Sequence, residues 1–475
     1  MTRTLIIGGS VAGLVAALAL ADIGHEIVVL ERDAQETPAS VDAAHESWRR
    51  PTVPQLHQSH AFGSLGTNLL RDRLPGTYRA LVQAGAREIS LGANLPPGLK
   101  DRTPHAEDAE LRMLGSRRSA FELVLRQEAA RRPTISFLGG VTARGLELSR
   151  HPDIRVTGVT TEEGRTLTAD LVIDASGRRS QTADWLATAG APQPTQTSSS
   201  ADIAYYTRYY RARSPRPAGP LNRGFGAGGL WDFYTGVMFL GDRDTYSISL
   251  GVLPDDTELK ALRRPEVFTA AVRATALLAP WVSPDAAEPI SPVHPMGGLD
   301  NSIRRWGQED PPVLGFFPVG DAVCTTNPAY GRGVSLAISH VFGLADLLRV
   351  HPRVDVEQAR RAANLSDTTY SPWFEDAVRN DTGRARMWGA TVAGRTLPPP
   401  PADVITFGTV AEAAATDPVV WRRLVRTMMS LDDPAALYED EDIRLRVKQA
   451  AASAPPPFPA PARAAFLDAV HQADR

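Results

Sequence analysis

The sequence predicts an α/β chain in three parts: a Rossmann-type domain, an inserted and mostly antiparallel β-sheet, and a helical C-terminal region. Three observations predict it. Leu5 to Arg32 reads as strand, tight turn, apolar helix, strand. Val313 to Ala322 is a second buried strand, running into glycines and a helix. Between them, Asp202 to about Pro254 has strong β propensity that no long helix interrupts.

The first block fixes the chemistry. Leu5-Ile6-Ile7 is the apolar, β-branched run of a buried parallel strand. Gly8-Gly9-Ser10-Val11-Ala12-Gly13 is the turn, Val11 to Ala21 the helix, Gly24 its C-terminal stop and Ile27 to Leu30 the next strand. This is a βαβ unit of dinucleotide-binding type. A pyrophosphate needs unshielded N–H groups at a helix N-terminus. Gly8 allows the turn, and Gly13 lets the helix approach the strand. Glu31, 18 residues after Gly13, stands where a carboxylate accepts both ribose hydroxyls. The acid favours an unphosphorylated ribose, hence FAD or NAD over NADP. Ser10 replaces the middle glycine of the pattern; its hydroxyl is expected to donate to a phosphate oxygen.

Composition bounds the rest. The chain has 475 residues, enough for two or three domains, with 43% hydrophobic and 22% charged residues. A net charge of -3 gives no reason to expect nucleic acid or an anionic membrane. A single cysteine, Cys324, excludes an internal disulfide and suits a reducing cytoplasm. The chain opens directly into a strand, and no apolar run reaches 18 residues, so no membrane span is expected.

Ala34 to Pro54 reads as a polar surface loop. His57 and His60 follow without the companions a metal site needs, so no metal is expected; a turn that hydrogen-bonds a ligand fits better. A helix is predicted from about Ala120 to Arg131, capped by Ser116 or Ser119. Arg118 at its start opposes the macrodipole unless an anion compensates, which points to a phosphate or ribityl contact. Arg126, two turns on, reads as solvated. Ile154–Thr161 and Arg165–Ile173 form a hairpin through Glu163-Gly164, and the second strand ends in a ligand-facing Asp174-Ala175-Ser176-Gly177 edge.

In the inserted sheet, alternation puts Tyr206, Arg208 and Tyr210 on one face and Tyr205, Thr207 and Tyr209 on the other. Tyr206, Arg208, Tyr210 and Phe233 are the substrate candidates. Leu230–Leu240 and Thr245–Val252 look like a hairpin across Gly241-Asp242. The predicted division is 1–180 and 301–350 for the two parts of the cofactor domain, 181–300 for the substrate-binding sheet and 351–475 for the helical region. In the last, Val356–Asn364, Pro418–Met429 and Ala462–His471 read as helices, with breaks at Pro398–Pro401 and Pro455–Pro461. Trp373, Phe374, Met387 and Trp388 read as core.

GGSVAG at 8–13 with Glu31, DASG at 174–177, and GDA with NPAYGRG between 320 and 333 together resemble single-component (group A) FAD-dependent monooxygenases of the para-hydroxybenzoate hydroxylase fold. VPQLHQSH at 53–60 and SRRSAFELVLR at 116–126 are most similar to the actinobacterial polyene epoxidases of polyether biosynthesis. The resemblance spans about Thr4 to Leu348. It implies FAD held by Gly8, Gly9, Ser10, Val11, Ala12, Gly13, Glu31, Arg32, Arg118 and Asp321. Pro328, Gly331, Gly333 and Val334 would complete the cofactor-binding set, the Gly331–Val334 amides facing the flavin N1–C2=O edge. It implies NAD(P)H as a transient reductant, O2 as co-substrate, and insertion of one oxygen through a flavin C4a-hydroperoxide. The acceptor would be an alkene (epoxidation) or aromatic ring (hydroxylation) of a small, apolar or aromatic secondary metabolite. No residue stands out as a protein acid or base. The fold also admits a FAD-dependent reductase or dehydrogenase of an isoprenoid-like chain, and a non-catalytic FAD-binding protein that sequesters a ligand.

Overall fold

The protein is described by a computed structural model covering all residues except 35, 97, 224–225, 308–311, 399–400, 402–403 and 451–460. At its centre a parallel sheet of five strands runs in the order Phe316–Pro318, Leu171–Asp174, Arg3–Ile7, Glu26–Glu31, Ile135–Gly139. The Arg3–Ile7 strand lies in the middle because both its faces are apolar. Leu5 and Ile7 pack with Val28, Val172 and Phe316; Ile6 faces the helices. The Val11–Asp22 helix is buried almost all round, as its Ala, Leu and Val content requires, and Gly24 ends it at φ +89°.

The second sheet is antiparallel and holds Gly226–Leu230, Tyr234–Leu240, Thr245–Val252, Ala204–Ala212 and Ala287–Pro289 in that order, with His294–Met296 also paired to Ala204–Ala212. Leu230 closes the first of these strands and does not open the hairpin as its sequence suggests; the hairpin strand starts at Tyr234. Helices Pro265–Ala274 and Arg463–Asp474 cover the outer face.

Three other expectations change. The Arg165–Ile173 strand divides. Thr166–Thr168 stays in a small antiparallel sheet, and Leu171–Asp174 enters the parallel one. Asp170 makes the turn between sheets, its carboxylate accepting the Arg3 amide at 2.8 Å. The supposed surface loop contains a helix, Val41–Glu46, capped by Ser40 and buried through Val41 and Ala44, with Trp48 just beyond. Finally, the helix from Val356 runs to Val392, straight through Pro372. A proline inside a helix costs about 3 kcal/mol. Burial of Tyr370, Trp373, Phe374, Ala377 and Trp388 along this helix offsets it. Trp373 and Phe374 are core, as predicted. The proline breaks expected at 398–401 and 455–461 fall largely outside the described residues.

The Gly333–Val350 helix has 18 residues and a mean hydropathy of 1.4, so among the described residues one helix does reach spanning length. Just over half of it is buried, with Leu336, Ile338, Val341, Phe342 and Leu344 in the interior, which is the packing of a core helix.

Candidate functional site

The Gly8–Gly13 turn is set by sterics. Gly8 sits at φ +104°, and a Cβ there would stand 2.5 Å from the Ala175 carbonyl oxygen. A Cβ on Gly13 would stand 1.9 Å from the Gly8 carbonyl oxygen. The helix that follows has no side-chain cap and no acid in its first turn, so the amides of its first turn face outward unmet. Such an end carries about half a positive charge and accepts an anion.

Glu31 is buried at the end of its strand. One oxygen accepts the Gly9 amide at 3.0 Å and Arg50 at 2.6 Å; the other accepts the Asp33 amide at 2.9 Å. That leaves one lone pair, so the carboxylate as placed can accept one ribose hydroxyl and not the two that the sequence suggests. Arg32 is exposed beside it.

Arg118 is buried and aimed at the turn. Its Nη2 donates to Ser10 Oγ at 3.0 Å, and its Nη1 meets His60 Nε2 at 3.0 Å. His60 Nδ1 lies 2.9 Å from the Gln58 carbonyl. A carbonyl only accepts, so Nδ1 carries the proton and Nε2 receives Arg118. Burial first, then Arg118, pushes His60 down to about 3, against the pull of the Gln58 carbonyl. The Nε of Arg118 is buried without a hydrogen-bond partner, 3.5 Å from Glu122. Arg118 therefore retains donor capacity beside the open amides, as an anion-binding residue should. Its helix, Arg118–Ala130, is capped by neither Ser116 nor Ser119; Arg117 holds the cap position, with its amide on Asp242 at 2.7 Å. Arg126 is not free in solvent either: Nε donates to Thr37 and the guanidinium lies 4.6 Å from the Phe137 ring.

Ser10 departs from its expected role. Its hydroxyl donates to Glu122 at 2.6 Å, so that hydrogen is not offered to a phosphate. Glu122 is fully buried and also pairs with Arg50, which reaches Asp33 at 3.0 Å. Sequence reading missed Arg50, Asp33 and Glu122. For Glu122 a signal existed, its spacing of four from Arg118 on one helix; Arg50 lay in a segment with no pattern at all.

Asp321 follows the Phe316–Pro318 strand, and Gly320 before it packs against Ala12, where a Cβ would be 2.9 Å away. Part of the Asp321 surface is open, yet desolvation raises its carboxyl, against the lowering pull of Arg118 and Arg178. No described residue donates to it, so it too fits a ligand hydroxyl. Asp174 is different. It is fully buried and accepts from Ser176, Ser180 and Thr182. The 174–177 segment is thus a knot that holds its own loop, and the Ala175 carbonyl backs the Gly8 turn.

Asn327 to Val334 forms the other approach. Asn327 caps the short turn Pro328–Tyr330, and Gly331 takes φ +64° against Ala61. Gly333 opens the helix into space: nothing lies within 4 Å of where its Cβ would be. Val334 is half-buried beside it.

The inserted sheet turns its Tyr205, Thr207 and Tyr209 face to these loops. Tyr205 donates to Asn327 at 2.6 Å, Thr207 to Gln58 at 2.8 Å, and Tyr209 to the Gln58 carbonyl at 2.6 Å. Tyr206, Tyr210 and Phe233 lie in the outer core under the covering helices. Arg208 shares their face and donates to Ser291 and Thr269. None of these four candidates reaches the site; alternation fixes the two faces but not which one packs inward. On the inner face Thr235, Val237 and Phe239 remain half-exposed. His57, His45 and His294 cluster with ring centroids 5.0–5.7 Å apart, but no group of metal-ligating side chains forms among the described residues.

Two uncapped helix N-termini, a buried carboxylate at a strand end and a buried arginine with an unused donor have the chemistry that a dinucleotide needs. Residues 1–358 match the FAD binding domain family, and the chain belongs to it. A Mycobacterium tuberculosis protein, Rv3254, is 27% identical over 460 residues, 90% of each chain. Among solved structures, PqsL of Pseudomonas aeruginosa, described as a probable FAD-dependent monooxygenase, is 15% identical, with a TM-score of 0.57 over 83% of this chain and 99% of its own. The Diels-Alderase PyrE3 of pyrroindomycin biosynthesis is 16% identical, with a TM-score of 0.58 over 91% of this chain and 81% of its own. The fold is thus that of the para-hydroxybenzoate hydroxylase-like monooxygenases.

Proposed function

We propose that the chain is a FAD-dependent monooxygenase that inserts one oxygen from O2 into an alkene or aromatic ring of a small apolar metabolite, with NAD(P)H as reductant. One observation carries the reading. The Asn327–Val334 loop ends in a second open helix N-terminus, on a helix that packs against the Val11–Asp22 helix, more apparatus than anchoring a nucleotide needs. When bound, FAD supplies the redox and oxygen chemistry. The Val11–Gly13 amides of the first helical turn and Arg118 would hold its pyrophosphate, Glu31 the adenosine ribose and Asp321 the ribityl chain. The Gly331, Gly333 and Val334 amides would meet the negative edge of the reduced ring. The half-exposed Thr235, Val237 and Phe239 offer a mainly apolar wall to substrate, which suits an unactivated alkene or ring. No residue is assigned as a protein acid or base, and on this reading the protein positions and dries the reactants.

Stopped-flow absorbance tests this. The FAD-loaded protein, reduced anaerobically, is mixed with oxygenated buffer, alone and with alkenes or phenols. A transient spectrum distinct from oxidised and reduced flavin, followed by oxygenated product, is expected. Direct return to oxidised flavin with every candidate overturns the proposal in favour of a reductase.

A further inference from the structure

The Asn327–Val334 loop is held from outside the cofactor domain. Asp381, on the long Val356–Val392 helix, is buried. One carboxylate oxygen accepts Asn327 Nδ2 at 2.6 Å, the Tyr330 hydroxyl at 3.0 Å and Arg384 at 3.3 Å. The other accepts Asn301 Nδ2 at 2.8 Å. Asn301 Oδ1 in turn accepts the Asn327 amide at 2.7 Å. A carboxylate only accepts, so both asparagine NH2 groups must point at it. That leaves Asn327 Oδ1 facing the Tyr205 hydroxyl, at 2.6 Å, and the Ala329 amide, at 3.0 Å. Asn327 is thus gripped by the long helix, the inserted sheet and the strand Asp300–Arg305 at once. Asn301, Asn327 and Asp381 are each no more than 1% exposed, so no water can substitute for a lost partner without rearrangement.

We propose that Asp381 is a positioning residue for the cofactor: through Asn327 and Tyr330 it sets where the Gly331–Val334 amides meet the flavin, and so how strongly the protein favours the reduced, anionic ring. This rests on the reading of that loop as flavin-facing. An amide at 381 would turn its NH2 group either toward Asn301 Nδ2 or toward Asn327 Nδ2 and Arg384, all of which only donate, and the loop would lose its single arrangement.

The test is the midpoint potential of the bound flavin, measured by dye-coupled reduction, with FAD affinity and thermal melting alongside. Asp381→Asn is expected to weaken binding of reduced relative to oxidised flavin at least tenfold, read as a fall of about 30 mV in the two-electron potential. Tyr330→Phe removes one donor to Asp381 while keeping the ring over Arg332. It is expected to shift the potential the same way by a smaller amount, and it decides the matter if Asp381→Asn does not fold. A merely structural role would lower the melting temperature and leave the potential of the loaded protein unchanged; that result in both variants overturns the proposal. Failure of the wild-type chain to bind FAD would instead overturn the functional reading itself.

Discussion

The two loops proposed to hold the cofactor are built in opposite ways. The Gly8–Gly13 turn is a backbone device. Its shape follows from the absence of side chains where Ala175 and Gly8 carbonyls come within 2.5 Å and 1.9 Å of where a Cβ would be. The Asn327–Val334 loop is a side-chain device, fixed by buried polar groups that arrive from three remote segments. The first is rigid because nothing else fits; the second is rigid only while every partner is present.

The sharpest way to break this comparison is to put the same methyl group in each loop. Gly13→Ala is expected to weaken FAD binding by at least about 100-fold, roughly 2.7 kcal/mol, because a backbone carbonyl cannot give way. Gly331→Ala meets only the Ala61 methyl at 3.0 Å and a left-handed φ of +64°. Its cost should be about 1–2 kcal/mol, near tenfold. Fluorescence titration of FAD into the apoproteins checks both. Equal losses would mean that both loops are steric.

The difference also explains what could be read in the sequence. Strand, turn, helix, strand and Glu31 are contiguous, so a local pattern carried the turn, its helix and its acid. The Gly-Asp strand end at Asp321 and the glycine-led helix start at Gly331 to Val334 are contiguous in the same way, and the elements they belong to were legible for the same reason. Asp381 was not, because it lies more than 50 residues from Asn327 on a helix whose pattern stopped at Asn364 in the sequence reading. Pairings such as Arg50 with Glu31, Asp33 and Glu122 depend on side chains meeting across the fold, and no periodicity announces them. The inward face of the Ala204–Ala212 strand was undetermined for a simpler reason: both faces carry tyrosines, and both are buried.

The first loop leans on charge as well as shape, at a step behind the turn. Arg50 is the shared partner of Glu31, Asp33 and Glu122, with side chains at most 6% exposed. Arg50→Met keeps much of the volume and strands these carboxylates. It should cost about 3–5 kcal/mol in urea denaturation, whereas losing a surface ion pair costs under about 1 kcal/mol. A loss of that smaller size would show that the turn stands on its glycines alone.

Acid should separate the loops too. His60 belongs to the first, with burial and Arg118 holding it down to about 3, while no described histidine contacts Asn327 or Asp381. His45 is likewise held to about 3, and His294 and His340 to about 4, all chiefly by burial. Unfolded histidines protonate near pH 6.5, so between about 6.5 and 4 the unfolded chain binds more protons. Stability is therefore complete above about pH 7 and falls as pH drops, by up to about 1.4 kcal/mol per pH unit per histidine. Melting curves from pH 7.5 to 5 should show it. In His60→Asn that fall should be shallower, since one of the protons is gone.

The smallest effect bears on the one residue that departs from the glycine pattern. If Ser10 served the phosphate, Ser10→Gly would weaken FAD binding tenfold or more. In the structure its hydroxyl hydrogen goes to Glu122, and its oxygen receives Arg118. Glycine removes that bridge but leaves the backbone amide, which is the group an anion needs. It also leaves Arg118 Nε only 3.5 Å from Glu122, close enough to close the gap directly. Expected, then, are a stability loss of about 1 kcal/mol and a change in FAD affinity within about threefold. A tenfold loss of affinity with unchanged stability would return the serine to the phosphate. The first loop would then owe part of its grip to a side chain after all, and the contrast with the second would narrow.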